Sequence, residues 1–315
     1  MEKPCLARLL DVKYPIIMAP MFLVTNTRMM IEALNYGIAA CIPALNYRTN
    51  EQLKSAIQEI RANTNSSGLG INLIVNKSNI KLDAQLATCL ELEVDFIITS
   101  LGSPKNVINQ CKPKGIKVFC DVVEEKYAEK VTKLGADAII AVNCNAGGHA
   151  GKLKPEELIP LLNKHCNIPV ISAGGVGTKD GIARMISLGA SGLSIGSPFI
   201  ACEEAHISKK YKQACVDYGK NDIVLTTKIS GTACTVINTP YVQKTGINQN
   251  WLEKLMSRNK KIKKWVKMLA FVKGMRLIEN AALSNTYKTV WCAGPSIEYT
   301  KEILPVKKII KKLTI

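Results

Sequence analysis

Between residues 14 and 200 the chain repeats one pattern eight times: a short apolar run, a polar or glycine-containing break, then a helical stretch. The runs cover 14–19, 38–42, 69–75, 95–99, 117–121, 138–142, 169–172 and 193–195. Ala, Ile, Val and Leu carry most of the 47% apolar content, while aromatics supply only 5%. That composition suits a parallel sheet buried on both faces. Eight regular strand–helix units with short links predict an α/β fold, a closed (β/α)8 TIM barrel in preference to an open doubly wound sheet.

The intervening helices are expected at 26–35, 49–61, 82–92, 105–111, 124–134, 155–165 and 178–188. Asn26 or Thr27 and Thr49 or Asn50 are the caps of the first two. After Phe199 the period fails. Helical stretches at 208–218, 251–259 and 265–283, with an irregular segment at 230–240, predict a smaller helical cap over one barrel mouth. The expected division is 1–205 plus about 291–315 for the barrel and 206–290 for the cap.

A closed parallel barrel places its site at the C-terminal strand ends. The candidates are therefore Ala19, Pro20 and Met21, then Asn72, Thr99, Asp121, residues 143–149, 172–175 and 194–197. Three glycine-rich breaks fall among them, around Gly147-Gly148-His149, Gly174-Gly175 and Ser194-Ile195-Gly196-Ser197. Glycine admits close approach of backbone N–H groups to an anion, and the helix starting near Thr178 points its N-terminus the same way. By mechanism this is a phosphate site; the alternative is tight αβ turns with no ligand. His149 is the one strand-end group able to take a proton near pH 7. His165 and His206 do not complete a ligand set around it, so no metal is expected. Gly174 to Gly177 lacks the third glycine and the distant acid of a dinucleotide fingerprint. Gly192-Leu-Ser-Ile-Gly196 matches a nucleophile-elbow pattern by letter only, since Ser194 lies within a strand.

The joint occurrence of Pro15-Ile-Ile-Met-Ala-Pro-Met21, Gly70-Ile-Asn72, Ala146-Gly-Gly-His-Ala-Gly151, Ala173-Gly-Gly-Val176 and Gly189-Ala-Ser-Gly-Leu-Ser-Ile-Gly-Ser-Pro-Phe199 resembles the nitronate monooxygenase family. The resemblance spans roughly residues 12–205 and is weak over the cap. It implies an FMN-bound TIM barrel with a small helical second domain, oxidising alkyl nitronates with O2 to a carbonyl compound and nitrite. It further implies that Ala19, Pro20 and Met21 line the flavin with backbone and that Asn72 hydrogen-bonds flavin atoms. Gly147 and Gly148 would pack near the ring. Gly174, Gly175, Ser194, Ile195, Gly196 and Ser197 would hold the phosphate, and His149 would be the catalytic histidine, orienting the substrate or taking an α-proton. Val142 and Asn145 stand where many members carry Gln and Glu, and Ser194 and Ser197 where Gln and Thr are common. Those departures bear on substrate rather than cofactor. A related chemistry, NAD(P)H-dependent flavin enoyl-acyl-carrier-protein reduction, is the alternative, with an acidic carrier protein as partner. A flavin-binding barrel without turnover is a further one.

The net charge of +17 is uneven, with much of it in the basic runs 258–264 and 307–312. Both interleave lysine with apolar residues at helical spacing, which reads as solvated helix faces and not a nucleic-acid surface. The eleven cysteines contain no C-x-x-C, and several sit in apolar runs. This is the usage of reduced thiols in a cytoplasmic protein. The N-terminus lacks a signal-peptide core, and no apolar run reaches membrane-spanning length. A homo-oligomer is compatible with all of this.

Overall fold

The computed structural model describes residues 3–76, 79–228, 233–248, 276–277, 279–283 and 289–314. The expected helix at 251–259, most of that at 265–283 and the basic run 258–264 lie outside the described residues.

Eight parallel strands form the barrel: β1 (Ile16–Met18), β2 (Ala39–Pro43), β3 (Leu69–Ile74), β4 (Phe96–Ser100), β5 (Lys117–Val122), β6 (Ala138–Val142), β8 (Val170–Ala173) and β9 (Gly192–Ile195). Each pairs with the next, and β9 closes on β1 with Ser194 beside Ile17. Helices α2 (Thr27–Asn35), α3 (Asn50–Asn63), α4 (Leu82–Glu91), α5 (Lys105–Cys111), α6 (Glu125–Lys133), α7 (Pro155–His165) and α8 (Lys179–Ser187) follow strands in turn. Their starts obey the capping chemistry read from sequence. The Asn26 side chain accepts from Met29 N, and Thr49 forms a capping box with Gln52.

Strand residues alternate between an inner layer and the layer under the helices. Ile17, Cys41, Phe96, Ile98, Phe119, Ile140 and Ile171 fill the inside, and Ile16, Ile42, Ile71, Ile97, Val118 and Val170 face the helices. The rings of Phe96 and Phe119 lie 5.1 Å apart, centroid to centroid. Gly70 makes room for them: a Cβ there would stand 2.3 Å from the Phe96 ring.

The base of the barrel is closed by a helix that the periodicity did not announce, α1 (Leu6–Leu10). Five residues are too few to display a helical period. Leu6 and Leu10 join the inner cluster, Leu6 N donates to Ser191 O at 2.7 Å, and a Cβ on Gly192 would meet Leu6 at 2.5 Å.

Beyond the eighth unit come α9 (Lys209–Asp217), α10 (Pro240–Thr245) and α11 (Val306–Thr314). A second sheet also appears. β10 (Ile223–Thr226) and β11 (Cys234–Ile237) pair antiparallel, and β11 pairs with the two-residue β7 (Gly148–His149). Part of the segment read as irregular at 230–240 is therefore a strand, and the region is not purely helical. In α11, Val306, Ile310 and Leu313 are buried while Lys307, Lys308, Lys311 and Lys312 are exposed, the solvated basic face expected. All eleven cysteines are free thiols, and no helix among the described residues is long and apolar enough to cross a membrane.

Candidate active site at the C-terminal mouth of the barrel

Alternation fixes which residues turn into the mouth. Asn72, Ser100, Asp121, Val142, Ala173 and Ser194 continue the inner rows of β3, β4, β5, β6, β8 and β9. Two residues named from sequence as strand-end candidates fall on the other face. Thr99 is buried outward, its Oγ1 donating to Phe119 O at 3.3 Å, and Ser100 takes the inward place. Ser172 also faces outward, buried, with no partner for its hydroxyl among the described residues.

One arc of the mouth, above β8, β9 and β1, is built from backbone. Gly174 and Gly175 have φ of +114° and +80°, the left-handed region that glycine tolerates. The loop after β6 presses against them. A Cβ on Gly174 would lie 2.5 Å from Ala146 N, and one on Gly175 would lie 2.8 Å from Asn145 Cβ. Asn143, fully buried, ties the two loops: its Nδ2 donates to Gly174 O at 3.1 Å and its Oδ1 accepts from Asn145 N at 2.8 Å. Gly196 stands against β1, where a Cβ would touch Ala19 Cβ at 3.5 Å and Met21 Sδ at 3.6 Å. Pro20 lies between these two contacts in the chain. The side chain of Ile195 lies in the layer under the helices and its carbonyl accepts from Ala19 N, so it offers the mouth no side chain. Ser194 is in register with Ile17 and Ala173 inside a strand, which excludes an elbow geometry.

The N–H groups of Gly175, Val176, Gly177, Gly196 and Ser197 donate to no acceptor among the described residues. Directly beyond them α8 begins, capped by Thr178, whose Oγ1 accepts from Gly181 N at 3.1 Å. Unspent donors, a helix N-terminus and glycines with no room for a Cβ fit the phosphate of a cofactor.

A crossing not foreseen from sequence closes this arc. Ser197 Oγ accepts from Gly294 N at 2.8 Å, and a Cβ on Gly294 would lie 2.8 Å from Gly147 N. The Ala293-Gly294-Pro295 tripeptide was the available signal, a glycine before a proline far from any strand end.

His149 sits on β7, its backbone in register with Cys234 of β11. Thr235 anchors the loop beneath it, Oγ1 donating to Ala146 O at 2.8 Å. The residue is exposed at the rim, and its ring forms no hydrogen bond among the described residues. Desolvation by the surrounding protein nevertheless holds its pKa below the ordinary histidine value of 6.5. The imidazole is therefore neutral at pH 7 and able to accept a proton. His165 is elsewhere, paired on the surface with Glu125 at 2.9 Å and Glu129 at 3.6 Å.

The opposite arc, above β3 to β5, is built from side chains. Asn72 Nδ2 donates to Ile98 O at 3.1 Å and to Ser100 Oγ at 2.8 Å. Ser100 Oγ in turn donates to Asp121 Oδ2 at 2.5 Å. Burial pushes the Asp121 carboxyl up to about 6, against a lowering by the Ser100 hydroxyl.

The closed barrel thus carries a glycine cradle on one side of its mouth and a neutral imidazole on the loop beside it, in a chain of an oxidoreductase family. The chain is a member of the nitronate monooxygenase family, whose pattern it matches over residues 3–315. A probable nitronate monooxygenase of Staphylococcus aureus is 27% identical over 286 residues, covering 77% of this chain and 80% of the relative. A nitronate monooxygenase of Paraburkholderia phytofirmans is 34% identical over 158 residues, 47% of this chain and 43% of that protein. A Rhodococcus jostii protein named as a hydroxy-methyl-oxo-octahydroindene-carboxyl-CoA dehydrogenase is 26% identical over 240 residues, 76% of this chain and 67% of the relative. Among solved structures, FabK from Thermotoga maritima superposes with a TM-score of 0.85 at 26% identity, over 99% of this chain and 95% of that one.

Proposed function

We propose that this protein is an FMN-dependent enzyme that oxidises alkyl nitronates with O2 to a carbonyl compound and nitrite. The observation that carries the proposal is a neutral imidazole, His149, held on the loop that packs against the glycine cradle, in a chain of this family. FMN, when bound, supplies the electron acceptor and the means of passing electrons to O2.

The chain's own residues divide the work. Backbone at Gly174, Gly175, Gly196 and Ser197 binds the phosphate, with Ser194 and Ile195 supplying the strand that positions them. Ala19, Pro20 and Met21 and the Gly147–Gly148 backbone line the ring. Both protons of the Asn72 amide are committed, so its Oδ1 is left as an acceptor for a cofactor N–H. His149 orients a nitronate, or removes the α-proton of a nitroalkane at its free ring nitrogen. The sheet formed by β10, β11 and β7 stands at the His149 loop and helps to exclude water from the reacting atoms. The test is His149→Ala, which keeps the yellow of bound flavin and loses most turnover. Undiminished turnover would remove His149 from the mechanism.

A second reading is favoured by the Thermotoga FabK likeness, which extends over nearly the whole chain. In it the enzyme is an NAD(P)H-dependent flavin enoyl-acyl-carrier-protein reductase, and the charge of +17 attracts an acidic carrier. Rapid anaerobic bleaching of the flavin by NADH would select it.

A further inference from the structure

Asp121 is an ionisable side chain at the strand ends that the proposed chemistry leaves unused. It turns inward at the end of β5 and is joined through Ser100 to Asn72, the residue assigned to the cofactor. The polarity of this chain is fixed. The Ile98 carbonyl can only accept, so the Asn72 amide must present Nδ2 to it and to Ser100 Oγ. Ser100, already accepting, spends its own proton on Asp121 Oδ2. The carboxyl is thus held by one hydroxyl and by no cation: it forms no ion pair among the described residues. The ionisable groups that feel its charge are Cys41 on β2 and Tyr127 on α6, both pushed upward and so neutral. Cys120, the next residue in the chain, is pushed up to about 12 and is neutral too. His149 is neutral and forms no ion pair with Asp121 among the described residues, so it does not neutralise it. A part-buried carboxylate without a counter-charge is costly, and its field reaches the groups packed around it.

We propose that Asp121, through the Ser100–Asn72 chain, places an unneutralised negative charge in the floor of the cofactor pocket and thereby lowers the reduction potential of the bound flavin. The inference rests on the flavin reading above. Reduction adds electrons, and with them negative charge, to the ring system. A fixed carboxylate nearby opposes that addition, and a protonated carboxyl does not. Asp121 is in this sense a positioning and tuning residue, acting through its neighbours.

The experiment is a spectroelectrochemical titration of FMN-saturated wild type, Asp121→Asn and Ser100→Ala from pH 4.5 to pH 8.5. Asp121→Asn is expected to raise the reduced-to-oxidised ratio at fixed potential about tenfold at pH 8, a shift of about 30 mV for a two-electron couple. Near pH 4.5 it is expected to leave the ratio unchanged. Ser100→Ala keeps the charge and removes the hydrogen bond that stabilises it, so the wild-type step should move to higher pH. Equal potentials for Asp121→Asn and wild type at every pH would overturn the proposal with the flavin reading intact, and so would an unmoved step in Ser100→Ala. A wild-type protein that quenches no FMN fluorescence on titration would overturn both together.

Discussion

The two arcs of the mouth are made from different materials. Above β8, β9 and β1 the groups that face the mouth are unpaired backbone N–H donors, and the side chains there are mostly absent, as at Gly174, Gly175 and Gly196. Above β3, β4 and β5 they are side chains, Asn72, Ser100 and Asp121, with fixed donor and acceptor assignments. A backbone cradle recognises anionic charge and shape and depends little on which letters surround it, provided no Cβ intrudes. A side-chain arc is specific, and each of its members can be altered alone. The first suits a phosphate common to many proteins. Under the proposed function, the second is where this chain sets its own chemistry.

Gly174→Ala should break the backbone arc most severely. It places a Cβ 2.5 Å from Ala146 N at φ +114°. Strain of about 2–3 kcal/mol corresponds to flavin binding weakened roughly 30- to 150-fold, measurable by fluorescence quenching. His149→Ala should leave that affinity intact while turnover falls by about 10²- to 10⁴-fold. Thr235→Val removes the bond to Ala146 O that seats the His149 loop, and should lower kcat about tenfold at unchanged flavin content.

The side-chain arc is tested through stability. The Asp121 carboxyl is raised from 3.8 to about 6 in the folded protein, so the native state holds a proton that the unfolded state releases at lower pH. Stability from this group is present below pH 3.8 and is lost as pH rises through about 6. Asp121→Asn should therefore raise Tm at pH 7.5 by a few degrees, with a shrinking difference towards pH 4 in calorimetry. Smallest of all, Ser194→Ala should change flavin affinity by no more than about fivefold, because the neighbouring donors are backbone. A large loss there would mean that the two arcs are not built differently after all.

The barrel was legible because its signals are repeated and redundant: eight buried runs, capping residues such as Thr49, and glycines after helices. The backbone arc was legible for a related reason, since glycine pairs at strand ends have few other uses. What escaped was set by tertiary pairing. β7 is two residues long and exists only because β11 lies beside it, and β11 was masked by Ser230-Gly231 before it and Pro240 after. Sequence does not separate Ser100 from Thr99, because the exact phase of a five-residue strand decides which neighbour points inward. Gly294 lies almost 100 residues from the Ser197 hydroxyl it meets, and no local pattern encodes such a crossing.

Oxygen uptake by the FMN-saturated protein on adding a short alkyl nitronate, with and without NADH, tests the central claim most directly. The account predicts uptake with nitronate alone, accompanied by nitrite, and no requirement for NADH. No uptake with nitronate, together with flavin bleaching by NADH under anaerobic conditions, would contradict it and establish the reductase reading.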